Sequence, residues 1–181
     1  MKTESTVKYV LRLAAILLTI TSVVAALLAG VNSVTAPVID KLNEEKTQKA
    51  IEAVLPGGGV SVDFPATETV SVVYKGEAGY AVQVAPAGFD GAITMMVGVD
   101  FDGNVLGISV ISHTETAGLG AVAAATTSAG ENFRAGFVGK SGSVAVTKDG
   151  GEIDSITGAT ITSRAVCAGV NAALDCVAGM G

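Results

Sequence analysis

The sequence predicts an α+β domain on an antiparallel sheet, set behind one membrane-spanning helix. Three observations carry that prediction. An 18-residue apolar run lies near the start, Leu13–Gly30, inside a stretch free of charge from Leu13 to Ile39. Short β-branched runs separated by turn signals follow it. Irregular, glycine-rich chain and one Ala/Val/Leu-rich helix close the sequence, an order typical of α+β domains.

The apolar run is long enough for a bilayer, which takes about 20 residues of helix. Thr19, Thr21 and Ser22 are its polar members, and their hydroxyls can bond back to helix carbonyls. A cleaved signal peptide carries a shorter apolar region of about 7–15 residues. Val34-Thr35-Ala36 matches the small-x-small cleavage pattern poorly, and Pro37 follows it. An uncleaved anchor is therefore expected, and with no cysteine near the span a lipid-linked anchor is not. Lys2, Lys8 and Arg12 precede the span against Glu4 alone. The positive-inside rule then places the N-terminus in the cytoplasm and the remaining chain outside.

Residues 37–55 read as an amphipathic helix, with Val38, Leu42, Ala50, Ile51 and Val54 at helical spacing. It is expected to continue the membrane helix after a break at Pro37, and Pro56-Gly-Gly-Gly59 ends it. Strands are expected at 69–74, 79–85, 93–99 and 104–111. The third is apolar on both faces, as a strand buried on both sides would be. Asp100-Phe-Asp-Gly-Asn104 between the last two reads as a hairpin turn. As a calcium loop it fails, because Gly falls at the fourth place and Ile111 occupies the place of the bidentate Glu. A short helix is expected within 121–137, a further strand at 143–147, a turn at Lys148-Asp-Gly-Gly151, and a last helix near 163–177. The domain boundaries follow: 1–35 for the cytoplasmic tail and membrane helix, 36–58 for a juxtamembrane helix and linker, 59–181 for the extracytoplasmic domain.

Composition narrows function. The 181 residues carry a net charge of −6, 4% aromatics and no Trp, which opposes binding to nucleic acid. One His and two Cys exclude a His-rich site, a zinc ribbon and a disulfide framework. Cys167 and Cys176 are nine apart on the last helix, about 900° of rotation, so they face opposite ways and read as small buried apolar residues.

Chemistry concentrates at 154–163, Asp-Ser-Ile-Thr-Gly-Ala-Thr-Ile-Thr-Ser. One reading is helix capping by Thr160, Thr162 or Ser163 with Gly158 in a turn. The other is a phosphate seat. Gly158 and Ala159 let a ligand approach the backbone, and the helix N-terminus offers free amides and a positive dipole end.

Asp154, Thr157, Gly158, Ala159 and Thr160 match in full the pattern Asp-x-x-Ser/Thr-Gly-Ala-Thr. His113-Thr-Glu-Thr-Ala-Gly-Leu-Gly120, the run from Phe89 to Asp100, Asn104-Val-Leu-Gly107 and Lys148-Asp-Gly-Gly151 align as well. With these segments the chain resembles the G subunit of the Rnf electron-transport complex, whose FMN-binding domain is shared with the C subunit of the sodium-translocating NADH:quinone reductase. Ala117 stands where that family has Pro. The resemblance implies covalent FMN, placed as a phosphoester on Thr160 by a flavin transferase. It implies cofactor contacts from Thr157, Gly158, Ala159, Thr162, Glu115, Thr116, Gly118, Leu119 and Lys148. Glu115 and Thr116 read equally well as residues that stabilise their loop, and Leu119, Met95 and Met96 are candidates to line the ring whose default is core packing. Asp154 would act in flavin transfer, by holding a metal ion or accepting the Thr proton, or would simply form a turn. No resident metal is implied. The implied function is electron relay in a complex that couples transfer between ferredoxin and NAD to Na+ or H+ translocation, beside flavin and iron–sulfur subunits. The quinone-reductase component and a non-redox membrane-anchored binding domain are the alternatives.

Overall fold

Strands form where β-branched residues alternate, and a computed structural model describing residues 2–64 and 67–180 shows them as one sheet. The strands are β1 (Val60–Val62), β2 (Val70–Lys75), β3 (Gly79–Val84), β4 (Thr94–Asp100) and β5 (Val105–Ser112). They pair in chain order, each antiparallel to the next. Four lie within a residue or so of the expected positions. β1 was not expected: three residues beside a glycine run are too few to show periodicity. The expected strand at 143–147 does not form. Asn171 does a strand neighbour's work there, accepting from the Val144 amide at 2.8 Å and donating to its carbonyl at 2.9 Å. Val146 makes only an isolated bridge to Ile153.

The helices are α1 (Lys2–Val54), α2 (Ser128–Ala135) and α3 (Thr160–Ala178), with short 3-10 turns at Gly120–Ala124 and Thr147–Asp149. The expected break at Pro37 is absent, and α1 runs through it. Proline removes one N–H, and the ladder on either side carries on. The segment to Glu44 is one compact unit and Glu45–Gly181 another. In the first, an 18-residue window reaches a mean hydropathy of 2.4 with none of it buried. Thr19 and Thr21 donate to the carbonyls of Ala15 and Leu17 at 2.8 and 3.0 Å, so both threonine hydroxyls of the span are satisfied within the helix.

In the second unit the sheet is covered on both faces. α3, α2 and the loops pack on one side over Val73, Val82, Val97 and Val99. Ala50, Ile51, Val54 and Leu55 pack on the other against Ala81 and Met96. β4 is buried on both faces as its composition predicted. Gly98 and Gly107, paired across β4 and β5, leave room for the backbone of Val54, whose carbonyl a Cβ on Gly98 would strike. The hairpin turn is closed by Asp100, whose Oδ1 accepts from the amides of Asp102 at 2.9 Å and Asn104 at 2.7 Å. Cys167 is buried and Cys176 partly so, both free thiols. Burial pushes the Cys167 thiol up to about 11, so it is inert.

Candidate functional site

The site grows from the start of α3. Gly158 stands at φ +76°, a left-handed turn that glycine adopts without strain, and it brings the chain sharply into the helix. Ala159 precedes the first helical residue at φ −127°, ψ 48°, and no side chain caps the helix. The first-turn amides of α3 therefore have no partner from the chain and remain open to an anion. Ser163 works from the inner side instead. Its Oγ accepts from the Ile156 amide and donates to the Ala159 carbonyl, both at 3.0 Å. The hydroxyls expected as alternative caps are thus engaged elsewhere.

Thr160 opens the helix and is half-buried. Its Oγ1 accepts from Lys148 Nζ at 2.9 Å. Lys148 sits on the 3-10 turn that ends at Gly150, and the next residue anchors that turn to α3. Asp149 receives a two-pronged bond from Arg164, Nε to Oδ2 at 2.7 Å and Nη2 to Oδ1 at 2.6 Å. Arg164 lies one helical turn after Thr160, so a single face of α3 carries the hydroxyl and fixes the lysine beside it. That bond holds the Asp149 carboxyl below its ordinary range.

A second loop completes the seat. Glu115 is 7% exposed, the one buried charged side chain among the described residues. Its Oε1 accepts from the amides of Phe89 at 2.7 Å and Asp90 at 3.2 Å, and its Oε2 from the Thr162 hydroxyl at 2.5 Å. Burial pushes this carboxyl up, but the Thr162 hydroxyl, the two amides and nearby His113 outweigh it, and the net displacement is downward. Glu115 stays ionised at neutral pH. It draws together the loop at 88–91, its own loop and the first turn of α3. His113 is half-buried, with Nδ1 shut off from water and unpartnered.

These elements enclose an open cavity of about 300 Å³ lined by Glu115, Thr116, Leu119, Lys148, Gly158, Ala159, Thr160 and Thr162, joined by Phe89, Gly120 and Ile161. Eight of the expected residues meet here. Gly118, Thr157 and Asp154 line an adjoining groove of about 430 Å³ with Phe133 and Ile156. Met95 and Met96 are not at the cavity. Both are fully buried in the cores on opposite faces of the sheet.

Phe89 and Ile161 were missed by the sequence reading. They are 67% and 51% exposed, and with Leu119 at 44% they make an apolar rim. No sequence signal marked them, because single apolar residues on a surface are ordinary; only their meeting at one cavity mouth makes a patch. A cationic side chain, open helix amides and an apolar rim suit a ligand that is phosphate at one end and a flat ring at the other. FMN fits this donor set.

Sheet, crossing helix and anion seat define an FMN-binding domain, and the family model of that description matches residues 88–175. The G subunit of the Na(+)-translocating ferredoxin:NAD(+) oxidoreductase complex of Acetobacterium woodii is 33% identical, covering 93% of this chain and 91% of its own. The G subunit of the ion-translocating oxidoreductase complex of Methanosarcina acetivorans is 32% identical over 87% of this chain and 89% of its own. Its counterpart in Yersinia pestis reaches 51% over half of this chain and 45% of its own. The chain belongs to the G-subunit family of ion-translocating oxidoreductase complexes and is a redox component of such a translocase.

Proposed function

We propose that this chain carries FMN as a phosphoester on Thr160 and relays electrons at the outer face of the membrane. The observation that carries the reading is the Thr160 hydroxyl at the uncapped start of α3, 2.9 Å from Lys148 Nζ, in a cavity with an apolar rim. The open amides and Lys148 would hold the phosphate, and Phe89, Leu119 and Ile161 would cover the ring. Attachment forms a bond from Thr160 Oγ1 to the FMN phosphorus of FAD and breaks the pyrophosphate bond. AMP leaves and the hydroxyl proton goes to a base. Asp154, exposed in the adjoining groove, is placed to serve a flavin transferase there, as base or as ligand of a metal ion that the transferase brings. The bound flavin supplies one- and two-electron chemistry that no side chain here has.

The complex would pass electrons between ferredoxin and NAD and move Na+ or H+, beside flavin and iron–sulfur subunits, as the name of the Acetobacterium relative states for ferredoxin, NAD+ and Na+. The apolar part of α1 supports membrane anchoring. The basic residues before it support a cytoplasmic N-terminus and an extracytoplasmic domain from residue 59 on.

Intact mass of the chain coexpressed with a flavin transferase tests the attachment. The expected result is an FMN increment and a fluorescent band on a denaturing gel. Thr160→Ala should express normally and lose both completely. An increment retained on that variant would transfer the acceptor role to Thr157 or Thr162.

A further inference from the structure

Glu115 has more hydrogen-bond donors than a structural tether needs and less charge compensation than a buried carboxylate usually has. Three donors fix both oxygens. Neither ion pair among the described residues involves it: Lys140 pairs with Glu152, and Arg164 with Asp149. The backbone is shaped around it. A Cβ on Gly88 would run into Oε1, and one on Gly120 into Oε2. Two loops have thus given up side chains to seat one anion, and that anion lines the same cavity as Thr160. Because its oxygens are taken by donors of the chain, Glu115 is poorly placed to accept a bond from a ligand, the role its position first suggests.

We infer that Glu115 is a fixed negative charge that lowers the reduction potential of the flavin seated at Thr160. The inference rests on the reading that Thr160 carries the flavin. Each electron entering the ring from a donor adds negative charge that a fixed anion opposes until a proton follows. In a cavity partly screened from water that opposition is stronger than in solvent. Lys148 stands beside Thr160, where it would be matched by the phosphate, so Glu115 is the charge of the seat that has no ion-pair partner among the described residues.

The test uses the full-length chain in detergent micelles, coexpressed with a flavin transferase. Flavin mass is read first; a wild-type chain without the increment sinks the attachment reading, separately from this one. Glu115→Gln keeps the shape and removes the charge. With flavin mass retained, its midpoint potential should lie at least tenfold in the reduced-to-oxidised ratio above wild type, about 30 mV for a two-electron couple. Glu115→Asp restores the charge on a shorter arm that disturbs the tether, and should bring the potential back to within threefold of wild type. Equal shifts in both variants, or none in Glu115→Gln, overturn the inference and leave Glu115 a structural tether. If Glu115→Gln does not fold, the midpoint potential of the flavin-loaded wild-type chain is followed through the pH range in which ¹³C-carboxyl titration shows Glu115 taking its proton. An upward step in potential there upholds the inference, and no step overturns it.

Discussion

α2 and α3 begin in contrasting ways. Thr127, before α2, has extended backbone at φ −87°, ψ 158°, and its hydroxyl accepts from the Gly130 amide at 3.4 Å. Ala159, before α3, has ψ 48° and offers nothing. Three hydroxyl residues lie within the first turn of α3, and none of them caps it. Thr160 is turned to Lys148, Thr162 to Glu115 and Ser163 to the preceding loop. A helix that closes its own N-terminus satisfies its first amides from within the chain. A helix that leaves it open keeps its amides and dipole for a ligand.

Three substitutions press on this contrast. Gly158→Ala should have the largest effect. A left-handed alanine costs about 1–2 kcal/mol, and its Cβ would lie 3.0 Å from Leu119 Cδ2, so the Leu119 side chain at the cavity rim must give way. Urea denaturation should show the loss, and flavin incorporation should fall with it; full incorporation would mean that the left-handed turn does not shape the seat. Thr127→Ala removes an ordinary cap and should cost about 1 kcal/mol. Flavin incorporation should not change, since Thr127 lines neither the cavity nor the adjoining groove. Ala159→Ser should do least. A serine cap needs extended backbone, and at ψ 48° its hydroxyl cannot reach the amides, so the usual gain of about 1 kcal/mol should be missing. A clear gain in stability would show that the backbone relaxes and that the open end is a matter of one missing hydroxyl.

Legibility followed the range of the interactions. The membrane helix, four strands and the last helix were readable because periodicity and apolar length are local. The residues at 154–160 by themselves allowed both a helix cap and a phosphate seat, and only the resemblance chose between them. Core packing was the default reading for Met95 and Met96, and both lie in the cores; which face of the sheet each joins was settled by strand alternation, not by polarizability. The strand expected at 143–147 had the right composition, but Asn171, 27 residues away from Val144, took the partner's place. The start of α3 was expected three residues late, since hydroxyl residues resemble caps whether or not they act as caps.

The sequence alone determined the kinds of groups available: one apolar span, one threonine after Gly158-Ala159, one lysine in a turn, one glutamate in a glycine-rich loop. Those are properties of residues and of short spacing, set by propensity and hydrophobic period. Tertiary structure alone decided their partners. Glu115 meets Thr162 across 47 residues, and Lys148 meets Thr160 because Arg164 holds Asp149. It also left Phe89 and Ile161 uncovered at the same cavity mouth. Such pairings depend on how the loops close over a packed sheet, and no local pattern encodes a distance between loops.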